Sequence, residues 1–298
     1  MASARVPSVG DATLLGPPGA APDASPDVEV VVRLLGPVDV LGAARPFSRA
    51  WTLDLVAYLA VHPGGVLADT WSAALWLDRP VADATRHSTV SVARRALGTD
   101  RHGRDHLPRG SGRLALGPAV TSDWARFRLL AGVTGVASAS AWEAALGLVR
   151  GRPFEGLRAP DWAVLEGVQA AIESAVVDVA LRLGRRRLEE GDGSTAERAA
   201  RRALRMCPYD ERLYRMVMEA ADLQGNPGGV ESAMADLSTL VAGDALDLRP
   251  TDSARRYVDA TPWVHPQTAA MYQELSRHRV APRHGNGRST AHSPCLAP

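Results

Sequence analysis

DATRHSTVSVARRALG, residues 83–98, is the stretch whose reading decides the fold. It spaces its apolar residues as a helix does and stops at a glycine. At about 100° per residue, Val90, Ala93, Ala96 and Leu97 share one side. His87, Ser88, Ser91, Arg94 and Arg95 fall on or beside the other. Arg86 points near the apolar side, where it can pair with Asp83 or reach a phosphate from the helix start. A helix that enters the major groove needs such a wet, basic face: Arg forks to guanine, and Ser bonds bases or phosphates. A solvated surface helix that carries Arg for solubility has the same pattern, so the neighbouring elements must separate the two readings.

Upstream, VEVVVRLLG (Val28–Gly36) is short and β-branched and predicts a strand. VDVLG (Val38–Gly42) predicts a second, and Arg45–Phe47 a third. Trp51–Val61 carries Leu53, Val56, Leu59 and Ala60 at helical spacing and is stopped by His62-Pro63-Gly64-Gly65. Asp69–Trp76 predicts a short helix with Asp69 as its N-cap and Trp71, Leu75 and Trp76 in the core. Downstream, HLPRGSGRLALG (His106–Gly117) predicts two short strands around a Gly-Ser-Gly turn. Strands, three helices and a hairpin, in that order, make a winged helix.

From Val120 to about Gly243 the texture is nearly all helical. AWEAALGLVRG comes first, followed by a long pattern from Asp161 to Glu190. Ala196–Leu213 and Val230–Leu240 then look like the start of one unit repeated at about 34 residues, the tetratricopeptide length. Helix pairs of that kind stack and expose a concave surface for partners. The expected class is mainly α: a winged helix-turn-helix of α+β type, then an all-α tetratricopeptide-like domain. The expected boundaries are a disordered tail over 1–27, the winged helix over 28–118, the helical domain over 119–243, an extension with one helix (about His265–His278) over 244–281, and a second disordered tail over 282–298.

Composition narrows the function. The chain has 298 residues with a formal charge of +1, so no global field argues for nucleic acid and any basic patch is local. Such a patch exists: Asp83–Arg113 holds seven Arg against three Asp, an excess of four. Four neutralised phosphates would give a log affinity–log salt slope of about −3.6. All non-histidine basic residues are Arg, so phosphate contacts would be guanidinium forks. Cys207, read as a small hydrophobe within a helical pattern, and Cys295 lie far apart and suggest no disulfide framework. The longest apolar stretch, Leu53–Val61, is too short to span a bilayer, and the first residues lack a signal-peptide core. A cytoplasmic location and no membrane partner are expected.

Catalysis is not expected. His102, Asp105 and His106 could ligate a metal, but a flexible loop without a fourth ligand is the favoured reading, so no metal and no cofactor are expected. Gly110-Ser111-Gly112 lacks the strand-to-helix context of a phosphate loop, and no hydrolase, zinc-protease or kinase motif appears. Glu166, Glu173, Arg182 and Arg185-Arg186-Arg187 read as solvated helix faces and a surface charge network. Met206, Tyr209, Tyr214, Met216 and Met218 read as helical-repeat core rather than a Met-rich groove.

Several separate stretches resemble one known family. In the helical half they are VRGRPFEGL (Val149–Leu157), DWAVLEG (Asp161–Gly167), EEGD (Glu189–Asp192) and CPYDERLYRMVMEA (Cys207–Ala220). In the first half they are LVAYLAVHPGGV (Leu55–Val66), AALW (Ala73–Trp76) and VARRALG (Val92–Gly98). Over roughly Val28–Gly243 the chain resembles the Streptomyces antibiotic regulatory protein (SARP) type, a winged helix followed by a bacterial transcriptional activator domain (BTAD). HSTVSVARRALG and DHLPRGSGRLALG also resemble a variant module found fused to LysM segments. The resemblance implies a transcription regulator that binds promoter direct repeats on double-stranded DNA and contacts RNA polymerase. His87, Ser88, Ser91, Arg94 and Arg95, with Arg86, would then meet DNA through the helix, and Arg109 and Arg113 through the wing. The helical half would self-associate and meet the polymerase. Two positions depart from the family: Val92 stands where a basic residue is usual, and Gly112 is followed by Arg113-Leu114 rather than an aromatic. With the neutral net charge, these departures favour the competing reading, a protein-interaction scaffold that keeps the winged helix only as a folded domain.

Overall fold

The computed structural model describes residues 28–77, 80–110, 112–132, 137–245 and 264–280. These divide into two compact units, one ending at Val176 and one beginning at Val177. Both expected tails lie outside the described residues, and so does Cys295.

The first unit forms around the valine-rich strand β1 (Val30–Arg33). Val30 and Val32 are fully buried while Val31 and Arg33 are half-buried, the alternation of a sheet with one face on a core. β2 (Asp39–Leu41) pairs with it antiparallel, and the Arg33 guanidinium grips the Asp39 carboxylate beside it. Arg45–Phe47 is not a strand. The Arg45 amide instead donates to the Ala96 carbonyl.

α1 (Ala50–Val61) is buried from Thr52 to Tyr58 except at Leu53, and Leu59 is buried as well. It is a core helix with weak periodicity rather than an amphipathic surface helix. β3 (Val66–Leu67) and α2 (Ala68–Leu75) follow. The cap of α2 is Leu67, so Asp69 sits in the first turn rather than at the N-cap. α3 (Asp83–Leu97) matches the helix read from the opening stretch. It ends at Gly98 with φ at +78°, and a Cβ there would lie 2.6 Å from Ala44 Cβ, so only glycine fits.

The expected hairpin takes another form. β4 (Arg113–Leu114) pairs with β3, not with a strand before the turn. Pro108 has no N–H to give a ladder, and His106 and Leu107 are buried against the core. β5 (Val120–Ser122) was not read from the sequence. It completes the first sheet by lying parallel to β1, in the order β2-β1-β5.

α4 (Asp123–Leu130) and α5 (Ala139–Gly147) pack on each other, capped by Ser122 and Ser138 through the amides of Ala125 and Ala141. α4 also escaped the sequence reading. The single long helix expected from Asp161 to Glu190 is two, α6 (Asp161–Leu165) and α7 (Val168–Glu189). Gly167, with φ at +71°, breaks them apart.

The VRGRPFEGL stretch is a strut under β1. The amides of Arg150 and Phe154 donate to the carbonyls of Leu35 (2.7 Å) and Leu34 (3.0 Å), and Val38 N–H donates to the Glu155 carbonyl. Two buried carboxylates add to it. Asp123 accepts from Leu34 N (2.7 Å) and Leu35 N (3.1 Å), and Asp54 accepts from Ala159 N (2.8 Å). Burial pushes both carboxyls up, against the pull of those amides. Glu166, expected to be a solvated charge, takes the Tyr58 hydroxyl at 2.9 Å and lies 3.0 Å from His62 Nε2.

The second unit holds α8 (Gly193–Leu204), α9 (Glu211–Leu223), α10 (Pro227–Ala245) and α11 (Pro266–Val280). α9 packs on α8, α10 and α11. α8 and α10 start at Gly193 and Pro227, the repeat of about 34 residues read in the sequence. α8 approaches α9 closely because its inner face is Ala196, Ala199, Ala200 and Ala203. Met206, Tyr214, Met216 and Met218 are buried as core, but Tyr209 is 47% exposed and is not. Cys207 is half-buried in the turn before α9 rather than inside a helix. Arg186 and Arg187 both meet Glu190, the charge network expected there.

Asp192 caps α8 through Thr195 N (2.9 Å). Hydrogen bonds from the Thr195 hydroxyl and amide, then the Ser194 hydroxyl, hold its carboxyl at about 2. The folded value lies below the unfolded one of about 3.9, so the cap stabilises above that value and its contribution is lost as pH falls toward 2. Asp192→Asn keeps a capping oxygen without the titration. Urea midpoints between pH 4 and pH 2.5 should fall less steeply for the variant than for the wild type. Equal slopes would remove Asp192 from the acid response.

Candidate nucleic-acid interface

α3 presents three sides. Thr89, Ala93, Ala96 and Leu97 are buried, which replaces the expected Val90 with Thr89. The Thr89 hydroxyl is satisfied by the Thr85 carbonyl at 2.9 Å. A second side faces the wing across a cleft of about 440 Å³. Asp83, Arg86, His87, Val90 and Arg94 line it from α3, Trp71 from α2, and Arg109, Arg113 and Leu114 from the wing. The third side carries Ser88, Ser91 and Arg95, all exposed, with exposed His87 on the border between this side and the cleft. After Asp83, α3 contains no acidic residue.

The eight residues expected at DNA do not behave alike. Arg86 is closed off by Asp83 one turn earlier and by Asp69 of α2. The expected pairing is met there, but the second acid came from outside the stretch first read. Arg94 is folded under the wing. Its side chain is only 17% exposed, its Nε donates to the Leu107 carbonyl at 2.7 Å, and the Asp105 carboxylate lies 3.8 Å away. Burial pushes its pKa down, although Asp105 opposes this. Arg113 is pinned by the Gly64 and Gly65 carbonyls, which fixes the wing to the turn after α1. Arg109 is 82% exposed, with Asp105 at 3.9 Å. Among the described residues, no carboxylate pairs with Arg95.

The loop between α3 and the wing is built rather than flexible. Burial pushes the Asp100 carboxyl up, but the Arg104 amide and guanidinium and the His102 amide outweigh it and hold it at about 2. His106 is 3% exposed and sits 3.8 Å from Glu29. Among the described residues, no group of three or more His, Cys, Asp or Glu is arranged to hold a metal. The sequence reading missed Arg49, whose Nη1 donates to Ser88 Oγ at 3.1 Å. It sits just before α1, outside the basic window, and no local pattern marks it.

Residues 124–259 match the family model described as the bacterial transcriptional activator domain. The match begins inside the first compact unit. A solved structure, Mycobacterium tuberculosis EmbR in complex with a low-affinity phosphopeptide, shares the fold at a TM-score of 0.52 and 22% identity, covering 84% of this chain and 69% of that one. No curated protein sequence matches. Residues 124–259 are thus similar to a bacterial transcriptional activator domain, and the sheet β2-β1-β5 and α1–α3 come largely before them in the chain. The likeness to EmbR is one of fold, and the match to the activator domain covers residues 124–259. No described helix is long and apolar enough to cross a membrane.

Proposed function

We propose that this regulator binds double-stranded DNA by laying α3 in the major groove. His87, Ser88, Ser91 and Arg95 would face the base edges, and Arg109 of the wing would meet the backbone or the minor groove. Arg94 and Arg113 act mainly by holding the wing against α3, and Arg86 by joining α2 to α3. The observation that carries this reading is the exposed stripe of α3, polar, basic and free of carboxylates after Asp83. Direct repeats are the expected sites, since one module with few free Arg binds weakly and a second copy beside it adds avidity. The second unit, an array of helix pairs, is where self-association and contact with RNA polymerase are proposed.

A second reading, a protein-interaction scaffold with a structural winged helix, is favoured by one observation: Arg86, Arg94, Arg104 and Arg113 are already engaged within the fold. Binding of genomic DNA fragments at two salt concentrations separates the two. The DNA reading expects saturable, selective binding that weakens with salt. Arg95→Ala should then cost about 1–3 kcal/mol if its fork reads a guanine. Binding no better than to random DNA, unchanged in the variant, would support the scaffold.

A further inference from the structure

Going round α3 from the cleft, His87, Ser91, Arg95 and Ser88, all exposed, come in that order, at about 100° per residue. The wing borders this stripe on the His87 side. Ser88, at the opposite border, is met by Arg49 from the turn before α1. Arg49 is exposed, and among the described residues no carboxylate pairs with it.

A helix is about 10–12 Å across with its side chains, and the major groove is about 12 Å wide. A helix seated there therefore has a phosphate strand along each flank. On the wing flank, Arg109 supplies an exposed cation. On the other flank, Arg49 supplies an exposed cation beside Ser88. Resting on the DNA reading above, we infer that Arg49 contacts a backbone phosphate on the side of α3 away from the wing, so that the helix is held from both walls of the groove. In the free protein Ser88 keeps the guanidinium against α3. One Nη1 donor occupies the serine, which leaves the remaining N–H groups of the fork for phosphate oxygens. Val92 is half-buried and lies on the same flank, and Arg49 supplies a charge there from another element.

A phosphate contact and a base contact differ in what they change. The test uses the full chain with two duplexes: one selected by the protein from a randomised library and a shuffled duplex of equal composition. Affinities are read across a salt series for the wild type, Arg49→Ala, Arg49→Lys and Arg95→Ala, with thermal melting of each as a check on folding. Arg49→Ala should weaken both duplexes by the same factor and make the salt slope shallower by about 0.9. Arg49→Lys should restore the slope, and Arg95→Ala should instead lower the ratio between the two duplexes. An Arg49→Ala variant that melts as the wild type and keeps both affinity and slope would overturn the inference while leaving DNA binding standing. A wild type that binds neither duplex would overturn the DNA reading and the inference with it.

Discussion

A fragment of residues 28–118 is expected to show no cooperative unfolding, whereas one of residues 28–176 should melt in a single transition. The first ends where the winged helix ends by composition, and the second where the compact unit ends. Cutting at Pro118 removes β5, and β1 keeps only the three-residue partner β2. A two-stranded ribbon of that size is marginal in water. The cut also strips the partners from a run of buried main chain. The amides of Leu34 and Leu35 lose Asp123, the carbonyls of the same residues lose Phe154 and Arg150, and Glu29 N–H loses the Ala119 carbonyl. Each orphaned buried group costs about 1–3 kcal/mol, against a total stability of about 5–15 kcal/mol for a domain. Far-UV circular dichroism with thermal melting of both fragments decides the matter. A cooperative melt of the shorter one would show that the sheet does not need its parallel strand.

Trp162→Ala should be the most damaging single substitution in the first unit, lowering its stability by about 3–5 kcal/mol. The indole is 1% exposed. Tyr58 of α1 meets it edge-on at 4.8 Å and Phe154 of the strut at 5.2 Å. It therefore joins the core helix α1 to the strut and to α6. Among the described residues its Nε1–H has no hydrogen-bond partner, so its contribution is packing rather than polarity. Trp162→Phe, which loses volume but breaks no hydrogen bond, should keep most of the stability. Urea unfolding of the two variants checks this, and an alanine variant with a wild-type midpoint would refute it.

The two expectations share a cause. The surface proposed to meet DNA is α3 and its wing, but the unit that holds them in place extends to Val176. VRGRPFEGL and DWAVLEG lie within the residues similar to the activator domain, and their hydrogen bonds and rings reach β1 and α1. Substitutions there can change how α3 is presented without touching DNA. That is why the salt-slope and selectivity measurements are paired with melting.

The electrostatics changed most between sequence and structure. Counting along Asp83–Arg113 finds an excess of four positive charges, but a count along the chain ignores what each charge faces. Asp69, seventeen residues before Arg86, neutralises it from another helix, and carbonyl oxygens take Arg94 and Arg113. The proposed DNA surface thus keeps Arg95 and Arg109 from that window and gains Arg49 from outside it.

By itself the sequence determined the local elements whose signals are local. β1 is legible from its valine alternation, α3 from its apolar spacing and its glycine stop, and the stacked helix pairs from a repeat of about 34 residues. It also determined which side of α3 stays wet at Ser88, Ser91 and Arg95, because helical geometry fixes that angle. Only the tertiary structure decided the rest. A parallel partner for β1 lies some ninety residues away in sequence, and a parallel pairing leaves no turn signal between its strands. The break at Gly167 depends on a backbone angle that a tolerated helical glycine need not adopt. Which arginines remain free was also decided there, since a guanidinium is claimed by whatever acid or carbonyl the fold brings within about 3 Å of it, and that neighbour is set by packing rather than by distance along the chain.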